Sequence, residues 1–421
     1  MIPLPVCEKL FVVKLGPQLI RVIDRLAGIP LCAFLTLFER TKAVFRPRSA
    51  EAPRRIVFIK LIEMGAGVLA YPAFAEAERM VGRKNMYILV LDENRIIFDV
   101  LDCFPPENII TIDGSTLGSF ATGLWRAIRR VRREQVDTAV DLEGLTRSSA
   151  IITWLTGARN RAGYHNFTCE GPYRGRLFTR ELNYTFEHHV SEMFLALVHA
   201  LRSPANQTPM LKERIPRPDA ALPEFTPGEG EVNRVRELLA EKAGHEVSGK
   251  IVVLNTKCTD LLPVRRWPID RYVELGKRML KEFSGITIVI TGPEREVDLA
   301  REIAADIGPE ERVFSIAGRT SMRELLTLYC ISDLVVSSDS GPCHFASLTT
   351  IRSVCLFGPE TPLLYGPLGG RARVITANLA CSPCMSILNH RLSPCTDNRC
   401  MQEISVDEVL EAVAESLGTL P

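Results

Sequence analysis

The sequence lacks any apolar run long enough to cross a bilayer. Its longest uncharged stretch in the amino-terminal region, Leu26 to Phe38, is far short of the ~20 residues a spanning helix needs. No small-residue cleavage site follows a short apolar core, so a secretory leader is not expected either. Net charge is nearly absent: 51 Lys and Arg against 50 Asp and Glu leave +1. That balance excludes a whole-surface electrostatic footprint for nucleic acid and confines any basic partner surface to a local patch. No compositional bias marks disorder, with 46% hydrophobic and 24% charged residues. Of the 12 cysteines, eight (Cys7, Cys32, Cys103, Cys169, Cys258, Cys330, Cys343 and Cys355) are scattered, mostly in apolar runs. They read as buried thiols of a reducing compartment.

At 421 residues the chain exceeds one core and suggests two domains plus extras. Residues 1–50 stand apart. Lys9, Lys14, Arg21, Arg25, Arg40, Lys42, Arg46 and Arg48 outnumber Glu8, Asp24 and Glu39 across an apolar background. This fits an amphipathic arm on an anionic cytoplasmic membrane face, or else a helix packed on the protein itself. From residue 54 to 205, strands at 56–59, 87–91, 109–112 and 138–141 alternate with helical periodicity, which implies a parallel sheet with helices on both faces. Two strand-to-helix junctions stand out in this half. One is Lys60 to Gly67, with Glu63, Gly65 and Ala66; the other is Asp141 to Ser148, with Glu143 and Arg147. Between them, Arg126, Arg129, Arg130, Arg132 and Arg133 form a basic run, read as a solvated helix face with lipid or phosphate contact as the lesser reading.

Residues 206–248, rich in Pro, Glu and Gly, read as a linker. The alternation resumes over 249–404, with strands at 251–254, 287–290, 313–316, 334–336 and 354–357 and helices at 269–283, 295–306 and 321–331. A final helix is expected over 405–421. Two similar α/β domains joined by a proline-rich hinge suggest a cleft enzyme, with a donor on one side and an acceptor on the other.

The chain is organised around Leu334 to Pro359. A buried strand there ends in Asp339-Ser340-Gly341-Pro342, followed by a helix that holds His344. Proline in a first helical turn costs nothing, because that N–H has no partner anyway. The free amides at such a helix start suit a diphosphate, with Asp339 as cap or hydroxyl acceptor and His344 facing the anion. Asp and Ser also cap helices without any ligand, so the turn alone leaves both readings open.

The string Asp339 to Ala346 followed by Leu356-Phe-Gly-Pro359 resembles the nucleotide-sugar signature of glycosyltransferase family 9, the ADP-heptose:lipopolysaccharide heptosyltransferases. Further matches follow in order. They are Ile59-Lys60-Leu61 with Met64-Gly65 and Leu69 to Ala73, Val136-Asp137 to Ser148, Arg161 to Tyr164, Arg265 to Pro268, Thr291 to Glu294, and Ala317 to Ser321. The resemblance implies a GT-B architecture of two facing Rossmann-like domains. It also implies inverting transfer of heptose or a related sugar from an ADP-sugar to a lipopolysaccharide-type or other envelope glycan, with no cofactor for catalysis. Arg265 stands where the family places a lysine near the diphosphate, and a guanidinium forks onto phosphate oxygens at least as well. Gly65 and Gly292 border the donor loops, and Glu294 or Glu296 would hold the ribose hydroxyls, as acidic residues do in dinucleotide folds. The implied location is cytoplasmic and peripheral on the inner face of the cytoplasmic membrane.

One departure matters. The family's general base is an aspartate directly after the glycine of the first loop, and here that residue is Ala66. Glu63 is the nearest carboxylate in the loop and the first candidate base, with Asp141 and Glu143 as the others. The same departure leaves room for a silent sugar-nucleotide-binding protein, or for a protein-modifying heptosyltransferase. Finally, Cys381, Cys384, Cys395 and Cys400 have the spacing of a tetrahedral four-thiolate site for a structural zinc or iron, with unmetallated thiol pairs as the competing reading. A branch of heptosyltransferases that modifies autotransporter proteins resembles this in carrying a four-cysteine iron centre. His390 lies inside that loop.

Overall fold

The computed structural model describes residues 22, 24–45, 52–165, 172–204, 211–215, 221–256, 263–389, 391 and 393–418. Cys7, Cys169, Cys258 and His390, and the basic positions Lys9, Lys14, Arg21, Arg46 and Arg48, lie outside the described residues. The chain divides into two compact units, Met1–Ala220 with Ile387–His390, and Ala221–Ser386 with Arg391–Pro421.

The first unit begins with helix α1 (Gly28–Phe45). It continues through β1 (Ile56–Ile59), α2 (Met64–Leu69), α3 (Tyr71–Val81), β2 (Met86–Leu91), α4 (Arg95–Leu101), β3 (Ile109–Ile112), α5 (Leu117–Arg133), β4 (Thr138–Asp141), α6 (Arg147–Leu155), β5 (Asn160–His165), β6 (Arg180–Asn183) and α7 (Val190–His199). Its strands form one parallel sheet in the order β3-β2-β1-β4-β5-β6. The central strand, Ile-Val-Phe-Ile, is fully buried, as a strand covered by helices on both faces must be. The expected strands of this half are present, and β5 and β6 are additions. The His189 ring accepts from the Ser191 amide at the head of α7.

The second unit runs α8 (Glu229–Ala243), β7 (Lys250–Asn255), α9 (Ile269–Glu282), β8 (Ile286–Thr291), α10 (Val297–Ile307), β9 (Val313–Ser315), α11 (Met322–Cys330), β10 (Leu334–Ser338), α12 (Gly341–Ala346), β11 (Arg352–Phe357), α13 (Pro362–Tyr365), β12 (Ala372–Thr376), α14 (Arg399–Gln402) and α15 (Val406–Leu417). Its sheet order, β12-β11-β10-β7-β8-β9, repeats the topology of the first. Both units are therefore the doubly wound α/β fold expected. The stretch read as linker, 206–248, carries a full helix, α8. Glu231 of α8 holds Arg323 of α11 at 2.7 Å, and that bond lowers the Glu231 carboxyl to about 2.

The described part of the amino-terminal arm, from Asp24 through α1, is docked on the first unit. Asp24 accepts from the backbone amides of Arg147 and Ser148 at 3.0 and 2.8 Å, so it caps α6 from a distance of over a hundred residues, and it also pairs with the Arg147 guanidinium at 3.0 Å. Glu39 holds Arg161 at 3.0 Å and accepts from the Trp154 indole at 2.9 Å. Both pairs are buried, and a buried ion left without its partner is costly. Glu39→Ala is expected to destabilise the protein by about 3 kcal/mol, measured as a lowered urea midpoint. An unchanged midpoint would mean that the helix is not anchored this way.

Candidate functional site

In a doubly wound sheet, ligands bind beyond the carboxyl ends of the strands where the strand order reverses. In the first unit the reversal lies between β1 and β4, and the loops leaving these strands carry Lys60, Glu63 and Glu143. Lys60 Nζ lies 3.4 Å from Glu143 Oε1 and 3.8 Å from Glu63 Oε2. Glu143 also accepts from the Ile62 amide at 2.9 Å, which ties the two loops together. Glu63 stands in the left-handed region, at φ 68°, immediately before α2. A non-glycine residue there is uncommon, and such conformations cluster at functional sites. Its side chain is 35% exposed, whereas those of Lys60 and Glu143 are nearly inaccessible.

Asp141 fits the role of base poorly. It is fully buried, and its Oδ2 accepts from the Arg174 guanidinium and from Ser149 Oγ at 2.9 Å, while Oδ1 accepts from the Glu143 amide at 2.9 Å. Arg174 binds the carbonyls of Gly144, Thr146 and Tyr164 as well. The pair fixes the mouth of β4, and a carboxylate held in this way has no access to a substrate hydroxyl. Gly65 is buried inside α2, with Ala66 beside it half-buried.

In the second unit the reversal lies between β7 and β10. Asp339 directly follows β10, and Arg265 lies on the segment that follows β7. Arg265 reaches Asp339 Oδ2 at 3.2 Å and Glu360 Oε1 at 2.8 Å. Arg391 approaches the same Glu360 oxygen at 3.5 Å and lies 5.0 Å over the Tyr365 ring. All of these groups are largely buried. Burial raises the Asp339 carboxyl, against the pull of Arg265. Glu360 is raised to about 7, chiefly by burial and further by Asp339, with Arg265 opposing, and its Oε2 is buried without a hydrogen bond. Burial lowers Arg391 to about 10.

Arg265 is placed by its neighbours in sequence. Trp267 is fully buried, packs edge-on against Tyr272 at 4.8 Å and donates its indole N–H to Ile404 O at 3.0 Å. Its amide donates to Ser338 Oγ at the end of β10. The Asn398 amide group holds the carbonyls of Val264 and Arg266, on either side of Arg265, at 3.1 and 2.8 Å. The Arg-Arg-Trp-Pro string is thus one polar head on an apolar anchor.

The turn at 339–344 is close to expectation, with one correction. Pro342 sits in the first turn of α12, and the Phe345 ring would lie 2.8 Å from a Cβ at Gly341, which favours glycine there. The cap residue is Ser340, whose hydroxyl instead donates to Ser338 O at 2.9 Å. Asp339 is not a cap, because its carboxylate turns to Arg265. His344 is buried within α12. Of the two ribose candidates, Glu294 is exposed. Glu296 is buried and lies against Gly292, with Oε2 3.1 Å from where a Cβ would stand.

The four carboxy-terminal cysteines are not arranged as expected. Among the described residues no group of three or more His, Cys, Asp or Glu is disposed to hold a metal ion. Cys381 is exposed, Cys384 Sγ contacts Ser393 Oγ at 3.2 Å, and Cys395 Sγ donates to Asp397 O at 2.9 Å. Cys400 is buried, and burial together with the other three thiols pushes it up to about 11. The expected four-thiolate clamp is therefore not seen among the described residues, where Cys384 and Cys395 contact protein oxygens instead.

Sequence reasoning missed Glu360, Arg391 and Asn398. Only Glu360 carried a signal, as a carboxylate just past the end of a strand that neighbours the reversal.

A family model, glycosyltransferase family 9 (heptosyltransferase), matches residues 124–392, more than half of the chain. The chain belongs to glycosyltransferase family 9. Among curated relatives, this family 9 chain is 32% identical over 115 residues to lipopolysaccharide heptosyltransferase 2 of Salmonella typhimurium, a match over 27% of this chain and 32% of that protein. It therefore spans about a third of the length of the first curated relatives it matches. Among solved structures, it is similar to the Escherichia coli ADP-heptose lipopolysaccharide heptosyltransferase II, with a TM-score of 0.63 and 19% identity over 86% of this chain and 98% of that one. It is also similar to the glycosyl transferase family 9 protein of Veillonella parvula, with a TM-score of 0.68 and 16% identity over 87% and 98%. At these identities the likeness is one of fold, the GT-B class with two Rossmann-like units.

Proposed function

We propose that this chain transfers heptose, or a related sugar, from an ADP-sugar to a lipopolysaccharide-type or other envelope glycan, with inversion at the sugar carbon. The observation that carries the reading is the buried Arg265, Asp339 and Glu360 constellation at the strand-order reversal of the second unit. A departing nucleoside diphosphate gains charge in the transition state, and donors already fixed in place stabilise that charge without reorganising. Arg265 supplies a forked cation, and the amides at the turn before His344 supply further donors. Glu296, beside Gly292, is the better placed of the two acids to take the ribose hydroxyls. Glu63 is proposed as the base that accepts the acceptor hydroxyl proton, since of the three candidate carboxylates it alone is substantially exposed.

The relatives' names, which describe heptosyltransferases of lipopolysaccharide, support the sugar and the acceptor class. A peripheral place at the cytoplasmic membrane follows from such an acceptor. Among the described residues no helix is long and apolar enough to cross a membrane. Ala66, at the family's base position, favours a second reading in which the chain binds a sugar nucleotide without turning it over. Incubation with labelled ADP-heptose and membranes separates the readings: label in the glycolipid fraction supports transfer to envelope glycan. Label in protein would redirect the acceptor, and binding with no transfer or hydrolysis on any acceptor would leave the silent reading.

The Glu360 carboxyl, poised near neutrality, gives the donor site a pH dependence. A diphosphate beside Arg265 adds negative charge facing Glu360 and Asp339, which favours protonated Glu360 in the complex. ADP binding is then expected to take up close to one proton above about pH 7, with affinity falling as much as about tenfold per pH unit. Glu360→Gln should flatten that profile. Calorimetry in buffers of different ionisation enthalpy reads the proton directly, and zero uptake in the wild type would rule the linkage out.

A further inference from the structure

We propose that the face of the first unit formed by α1 and α5 is a docking surface for anionic phospholipid. This deepens the peripheral location proposed above by naming the residues that make the contact.

Helix α1 is turned inside out. Apart from Leu35, the side chains it presents to the protein are small or polar: Gly28, Cys32, Thr36 and Glu39 are buried, with Asp24 in the preceding turn. Those it presents to solvent are largely apolar, with Phe34 65% and Leu37 62% exposed and Ile29 and Phe38 beside them, and Leu26, just before the helix, is 71% exposed. A helix packed on a soluble protein has the opposite polarity, and a contiguous exposed apolar stripe marks a contact surface.

The charges decide what that surface fits. Both acidic side chains of the segment are withdrawn into the protein, Asp24 to Arg147 and Glu39 to Arg161. The exposed charges that remain, Arg25 and Arg40, are cationic, and the sequence continues with Lys42, Arg46 and Arg48 before the next acid, Glu51. Helix α5 packs on α6 as α1 does. Its Ala127, Ile128 and Val131 share one apolar cluster with Ile152 of α6, while Cys32 and Leu35 of α1 pack on Ala150 of α6. Helix α5 has no acidic residue, and it exposes Arg126, Arg129, Arg132 and Arg133. It also exposes Trp125, with the Arg129 guanidinium 4.5 Å over its ring. An exposed Trp among cationic side chains, beside an apolar stripe, matches the headgroup layer of an anionic leaflet. A second copy of this face would bring two cationic surfaces together.

The test is co-sedimentation of the full chain with vesicles of phosphatidylglycerol in phosphatidylcholine, with phosphatidylcholine alone as reference. The wild type is expected to bind the anionic vesicles at least tenfold more tightly, with the preference lost in high salt. Phe34→Asp combined with Leu37→Asp should lower vesicle binding at least tenfold. Arg126→Glu with Arg129→Glu should remove the anionic preference while leaving binding to neutral vesicles unchanged. Both pairs lie outside the proposed sugar-transfer machinery, so thermal unfolding and ADP binding should match the wild type. Wild type that ignores vesicles would overturn both the surface and the peripheral location. Vesicle binding that survives both variants would overturn this surface and leave the location standing. A lipid-free dimer abolished by the Phe34 and Leu37 changes would assign the face to a second copy instead.

Discussion

Replacing Glu63 with Gln is expected to lower sugar transfer by about 10²- to 10⁴-fold, the usual contribution of a positioned general base, with little change in ADP affinity. Direct attack by an acceptor hydroxyl needs a group to take its proton, and Ala66 cannot do so. Asp141 is locked by Arg174 and Ser149, and Glu143 is committed to Lys60 and the Ile62 amide. Glu63 remains, at the strand-order reversal of the first unit, on a left-handed residue whose conformation carries a cost that most positions avoid. Glutamine keeps the shape and removes the basicity, so the fold should persist. Single-turnover transfer rates with saturating donor measure the effect, and full activity in the variant would remove Glu63 from the mechanism.

Replacing Arg265 with Ala should weaken ADP binding by about 10²-fold, the worth of one or two charge-assisted hydrogen bonds to phosphate. It should also destabilise the protein, because Asp339 and Glu360 would lose the cation that both now face. Arg265→Lys restores the charge but not the fork, so an intermediate affinity is expected. Calorimetric titration with ADP separates the three proteins. Wild-type affinity in the alanine variant would place the diphosphate elsewhere.

The parts of the fold that the sequence displays are those where burial and strand period coincide. Strands β1 to β4 and β7 to β11 are apolar runs, and each lies where its run stands. Strands β5 and β6 were hidden because they carry charges into the interior: Arg161 is offset by Glu39, and the Arg180 guanidinium by Ser203 O at 3.1 Å. Strand β12 is a half-exposed edge whose short apolar run is interrupted by Arg373. In the site, the turn at 339–344 was legible from its Pro and Gly. The partner of Asp339 was not, since a carboxylate's direction depends on an arginine 74 positions away. For α1 the amphipathic pattern was plain, but nothing local says which side faces the protein; that is set by Arg147 and Arg161. Cysteine spacing, likewise, does not say whether the sulfurs converge or bond to nearby oxygens.

The central claim is that a nucleoside diphosphate is received at the reversal between β7 and β10 by Arg265 and the turn before His344. A crystal structure with ADP bound tests it most directly. The account expects phosphate oxygens within hydrogen-bonding distance of the Arg265 guanidinium and of the backbone amides of that turn. Nucleotide held at another site, with Arg265 still closed on Asp339 and Glu360, would contradict it.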